Sequence, residues 1–179
     1  MDLRIVKTKY QIKEAFLMLR DKLTPDKIKI KDLCEAAMIN KTTFYKHYTD
    51  LTALSDEIDD SAVSNVMSNF KDKDKLFENP KAYTAGLLHS LEREASNLKL
   101  VFRGKYDILS AKLEKKLYSC YGSRVKTFED EIRLSFVIGG CVKVINDYLF
   151  TEKKYDMAEL IEYTTKIVES LLEQNPVTV

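Results

Sequence analysis

Glycine and proline are scarce, 5 and 3 in 179 residues. A β-sandwich or barrel marks its many turns with these residues, so their scarcity excludes such folds and leaves long helices. Cysteine is sparse, odd in number and dispersed. Cys34, Cys120 and Cys141 form neither a Cys-x-x-Cys pair nor a disulfide framework. His47 and His89 are the only histidines, so no zinc-ligand spacing exists and no cofactor is expected. Cys34 and Cys141 sit among apolar residues and read as inert core thiols. Long apolar runs are missing as well. Nothing approaches the roughly 20 residues that a membrane span needs. Residues 1–10 are charged where a signal peptide has an apolar core. The expectation is a cytoplasmic protein with no membrane partner. No nucleophile–base pair or Gly-rich phosphate loop is visible, which argues against an enzyme.

What is present is helical patterning and an uneven charge. Hydrophobic residues make up 45% and charged residues 32%, enough to build a buried core without crosslinks. The net charge is only +1, yet residues 1–55 hold eleven Lys/Arg against seven Asp/Glu, and the rest eighteen against twenty-one. A basic end on an acidic body suits a negatively charged partner bound at that end. A chain this weakly basic does not suit sequence-independent DNA coating, which depends on many phosphate contacts.

The apolar spacing predicts an all-α protein of about nine helices. The first covers 4–22, with Ile12, Ala15, Phe16, Leu19 and Leu23 along one face, and Thr24-Pro25-Asp26 breaks it. Two short helices follow at 30–37 and 41–47, separated by Met38-Ile39-Asn40, with Asn40 placed to cap the second. Asp50 caps a fourth helix from 51 to about 70, and Asn79-Pro80 starts a fifth that runs to about Ser96. A separate short piece is expected at 97–103. Further helices are expected at 106–120, ended by Gly122, at 126–150, and at 156–174 before Pro176.

Residues 30–47 have the layout of a helix-turn-helix, whose second helix enters the DNA major groove. That second helix carries Lys41, Thr42, Thr43, Tyr45, Lys46 and His47, which can donate to phosphates or base edges. Phe44 and Tyr48, four apart, anchor it to the core.

From Ile28 to Leu54 the sequence resembles the DNA-binding domain of the TetR family of transcriptional regulators. The matching residues are Ile30, Asp32, Leu33, Ala36, Ala37, Ile39, Thr43-Phe44-Tyr45, His47, Asp50 and Leu54, and Ile12, Ala15 and Phe16 fit the family's preceding helix. Met38 stands where the family usually has Gly, Asn40 where it has Ser, and Tyr48 where it has Phe. Lys29 replaces a frequent Thr cap, and Leu51 a frequent Lys. The resemblance implies an N-terminal three-helix DNA-binding domain over 1–50 and a helical effector-binding and dimerisation domain over 51–179. It implies a homodimer on a palindromic double-stranded DNA operator, acting as a repressor under a small-molecule effector of unknown identity. It makes Thr43, Tyr45 and His47 the leading DNA contacts; Lys41, Thr42 and Lys46 come next from their position alone, and Lys29 and Asn40 are candidates with them.

For the body, Tyr83, Leu87, Phe102, Tyr106, Tyr118 and Phe136 are candidates to line an effector pocket. Gly140, Val144, Tyr148, Leu160, Thr164, Ile167 and Leu171 are candidates for a dimer interface made by the last two helices as a four-helix bundle. The alternative is a TetR-like scaffold whose C-terminal part binds a protein co-regulator.

Overall fold

The computed structural model describes residues 3–121, 124–151 and 155–173. Among these it is all helical, with eight α-helices and no strand. They are α1 (Leu3–Lys22), α2 (Ile30–Ala36), α3 (Lys41–Tyr45), α4 (Leu51–Asn69), α5 (Pro80–Val101), α6 (Tyr106–Tyr121), α7 (Phe128–Phe150) and α8 (Met157–Glu173). A single 3-10 turn, Pro25–Lys27, fills the break after α1. Gly122 and Pro176, expected as helix stops, lie outside the described residues.

Local chemistry sets most boundaries. Asn79 Oδ1 accepts from Ala82 N at 3.0 Å, and Pro80 follows as the first helical residue. Asp50 Oδ1 accepts from Ala53 N at 2.8 Å. Thr127 and Asp130 exchange hydrogen bonds in a capping box that starts α7. One expectation fails. The piece predicted at 97–103 is the last part of α5, which continues unbroken to Val101. Glu92, Arg93 and Ser96 are exposed and Glu94 and Asn97 half-buried, and Leu98 and Val101 resume the buried stripe of Leu87 and Leu91.

α1 packs against α2 and against α5, and α4 against α5 and α6. α5 then packs on α8, and α6 on α7. One hydrophobic core runs from Ile12 through Leu54 and Tyr83 to Val168. Within it Tyr83 meets Phe70 and Tyr121, with ring centroids 5.1 and 6.1 Å apart. Cys34 and Cys141 are buried free thiols, and burial pushes Cys141 up to about 12. No described helix is long and apolar enough to cross a membrane.

Candidate nucleic-acid interface

The turn between α2 and α3 is a Schellman motif. Ile39 N donates to Cys34 O at 3.0 Å and Met38 N to Glu35 O at 3.1 Å. Such a stop places its reversing residue in the left-handed region, and Met38 has φ 55°. Met38 is 85% exposed, so nothing packs on its side chain. Asn40 then opens α3, its Oδ1 accepting from Thr43 N at 2.7 Å. α3 spans only five residues, too short to persist alone. Phe44 holds it down. This ring is fully buried, 5.9 Å from Tyr48 and 5.4 Å from Tyr45. Burying such a ring contributes about 1.5–3 kcal/mol.

With Phe44 turned inward, the rest of the segment is presented to solvent. Lys41, Thr42, Tyr45 and Lys46 are exposed, and Thr43 and His47 half-buried. Lys46 and His47 lie in the turn after α3, not within the helix predicted to reach 47. Lys29 is exposed at the start of α2 and makes no side-chain cap. The eight candidate DNA contacts thus come from two short helices and their ends. The face is one of ammonium, hydroxyl and imidazole groups, suited to phosphate oxygens and major-groove base edges.

The structure adds residues that sequence reasoning missed. Lys46 and His47 form one side of a cleft of about 500 Å³, and Arg4, Ile5, Thr8 and Lys9 of α1 form the other. The available signal was the basic excess of the first 55 residues, which includes Arg4, Lys7, Lys9 and Lys13. Lys9 and Lys13 are tied to the next long helix. They bridge to Glu57 of α4 at 2.8 and 2.9 Å. Burial raises the Glu57 pKa, but the hydrogen bonds and charges of Lys9 and Lys13 outweigh it and hold the carboxyl below 4.5. The bridges tie α1 to α4 across the base of this face.

The pocket candidates divide between core and surface. Tyr83, Leu87 and Phe102 are buried core, whereas Tyr106 and Phe136 are exposed, Phe136 at 67%. Tyr106 lies over Phe150 with centroids 4.2 Å apart. Tyr118, half-buried, meets Ser135. Phe136 sits on the outward face of α7. The body's interior instead holds polar atoms without a hydrogen-bond partner among the described residues: Tyr83 OH, Thr84 Oγ1 and Asn146 Oδ1.

Of the interface candidates, Gly140 and Ile167 are exposed, and Val144, Tyr148, Leu160 and Leu171 half-buried. Thr164 is buried within the chain, where α8 lies on α5 and α7. Exposed apolar side chains missed by the sequence reading adjoin them: Phe128 and Ile132 on α7 and Tyr163 on α8.

A chain from Mesorhizobium loti MAFF303099, assigned to the TetR family of transcriptional regulators, aligns over 96% of this chain and 98% of its own. Its TM-score is 0.55 at 20% identity. The fold is the TetR-regulator fold. A TetR transcriptional regulator from Rhodococcus sp. RHA1 aligns over 97% of this chain and 98% of its own, with TM-score 0.40 and 16% identity. No protein-family model and no curated protein matches the sequence. In the TetR fold seen here, α2 and α3 form the helix-turn-helix and α4 carries it to the helical body.

Proposed function

We propose that this chain is a sequence-specific DNA-binding transcriptional regulator of the TetR type, a cytoplasmic homodimeric repressor controlled by a small-molecule effector. The observation that carries this reading is α3 itself. A five-residue helix is capped by Asn40 and pinned by a fully buried Phe44, and it leaves Lys41, Thr42 and Tyr45, with Lys46 of the following turn, in solvent. Nothing inside the chain uses those four side chains as core, and their chemistry fits a DNA groove.

Dimerisation is supported by α7 and α8. Phe128, Ile132 and Phe136 recur every fourth residue on α7, with exposures of 77, 42 and 67%, and Tyr163 and Ile167 are exposed on α8. A Cβ placed on Gly139 or Gly140 would meet nothing within 4 Å. No neighbour within the chain therefore requires glycine there, although each glycine inside a helix costs about 0.5–1 kcal/mol relative to alanine. A second copy lying close against α7 gives both glycines a purpose. Two recognition helices then match half-sites one DNA turn apart, ~34 Å.

Effector control is supported by the partnerless polar atoms of the body. A buried unsatisfied group costs about 1–3 kcal/mol, which a ligand's donors and acceptors would offset.

The test is to mix the purified chain with sheared genomic DNA at near-physiological salt and sequence the retained fragments. A shared palindrome in the enriched fragments is the expected result. Fragments without any preferred sequence would overturn the reading.

A further inference from the structure

α1 and α5 are joined by an exchange of arginines. Arg20, in the last turn of α1, is 1% exposed, and its Nη2 donates to Val101 O at 3.1 Å and Arg103 O at 2.7 Å. Those carbonyls lie at and just beyond the C-terminal end of α5, where the helix dipole favours a cation. In return, Arg103 Nη1 donates to Asp21 O at 3.0 Å, in the last turn of α1. Each helix end thus receives the guanidinium carried by the other segment.

The turn that makes this possible runs from Val101 to Lys105. Gly104 has φ 76°, a conformation that disfavours any residue with a Cβ. One residue later Lys105 reaches α4, donating to both carboxylate oxygens of Asp59 at 2.5 and 2.6 Å and to Ser55 Oγ at 2.9 Å. Five residues of the body therefore grip both α1 and α4.

Burying Arg20 in this way is costly. Its Nε and Nη1 have no hydrogen-bond partner among the described residues, and no carboxylate bonds to it directly. Burial lowers the guanidinium pKa, with Asp59 opposing the shift and Arg103 adding to it. An apolar side chain would fill the space with less penalty, but it would not specify a direction. Lys105 and Asp59 also border a cleft of about 380 Å³ walled by Phe16 of α1, Leu51 of α4 and Ile108 of α6 among others. Directional bonds therefore add a fixed orientation to a join that Ile12, Ala15 and Phe16 already pack into the common core.

We propose that Arg20 and Arg103 are positioning residues that form a two-way strap, fixing the angle of α1 on α5 and hence the placement of α3 relative to the body. Its meaning for regulation rests on the DNA reading above. The strap itself does not, and its first test uses no DNA.

The full chain carries nitroxide amino acids in place of Thr42 on α3 and Ser96 on α5, both exposed. It is diluted with unlabelled chain so that pulsed electron resonance reads only intramolecular distances. A narrow distribution is expected for the native strap. Arg103→Ala, at an exposed position that threatens no core packing, is expected to broaden it about twofold or shift its centre. Arg20→Lys, which keeps the charge but loses the fork, is expected to do the same, and Arg93→Ala on the exposed face of α5 is expected to leave it unchanged. An unaltered distribution in a fully helical Arg103→Ala protein overturns the proposal, whether or not Arg20→Lys folds. In a second arm, Arg103→Ala is expected to weaken binding to the selected palindrome several-fold. Failure of the native chain to bind any palindrome would remove the DNA reading and leave the distance result standing.

Discussion

Lys105 and Asp59 form an almost fully buried ion pair, their side chains 10% and 2% exposed, with Nζ 2.5 Å from Oδ1. Burial pushes both groups toward neutrality, raising Asp59 and lowering Lys105, while each is drawn back by the other's charge. Such a pair gives direction more than stability. Asp59→Asn leaves the ammonium without its counter-ion and is expected to cost about 3–5 kcal/mol. Asp59→Leu combined with Lys105→Met is expected to come within about 1 kcal/mol of the native chain or exceed it. Urea unfolding of Asp59→Leu, Lys105→Met and their double, read as a thermodynamic cycle with Asp59→Asn measured beside it, checks this. A double variant as weak as the worse single would contradict it.

Glu57 bonds both Lys9 and Lys13, and its folded-state pKa lies below the ordinary 4.5. The folded state therefore binds fewer protons than the unfolded state in the interval between the two values. Stability from this group is complete above pH 4.5 and is lost as the pH falls through the folded value. Its side chain is 37% exposed, so solvent screening keeps the gain small. Glu57→Gln is expected to destabilise by about 0.5–1 kcal/mol at pH 7. The difference from the native chain is expected to shrink as the pH is lowered below 4.5, as measured by denaturant titration at pH 7 and at a series of lower pH values.

Met38 occupies the left-handed position of the α2 stop with its side chain in solvent. An L-residue there costs roughly 1–2 kcal/mol, and glycine's greater freedom in the unfolded chain takes back about half of that. Met38→Gly is expected to raise stability by about 0.5–1 kcal/mol. The urea midpoint should rise with the slope unchanged. A lower midpoint would show that the Met38 side chain contributes something the exposed position does not reveal.

Phe136 and Ile167 are 67% and 62% exposed in the single chain. If they meet a second copy, a charge at either position is placed in an apolar contact. Phe136→Glu and Ile167→Glu are each expected to weaken self-association by roughly tenfold or more, equivalent to about 1.4 kcal/mol. Helix content should not change. Sedimentation across a concentration series separates the outcomes, and a native chain that is monomeric throughout would remove the dimer reading.

Much of the fold was legible because it is written in neighbours. Asn40, Asp50 and Asn79-Pro80 cap helices through bonds that span three residues. Ile12, Ala15 and Phe16 mark the inner face of α1 by spacing alone. The α2–α3 turn was legible too, down to Met38 as its uncomfortable residue. The break expected near residue 97 was misread because Glu92, Arg93 and Glu94 interrupt the apolar stripe without interrupting the helix. Aromatic identity does not fix placement in the body. Tyr83 and Phe136 look alike as pocket candidates, yet one is core and the other faces solvent, since residue type does not state direction. Arg20 gave no signal at all. Its acceptors lie 81 and 83 residues away, and no local pattern encodes that meeting.

The continuous core has a consequence for the evolution of such proteins. Ile12, Phe16 and Phe44 belong to the same buried cluster as Leu54, Ile58 and Tyr83, so the apolar interior passes without a seam through residue 50. A boundary drawn there separates two chemical tasks but not two cooperative units. Recombination that grafts the first fifty residues onto a foreign body would inherit a raw apolar flank, and would succeed only where the new host supplied a matching helix surface. Changes in the solvent-facing residues of α3 can accumulate freely, while exchange of the whole N-terminal unit is constrained by the shape of what lies beneath it.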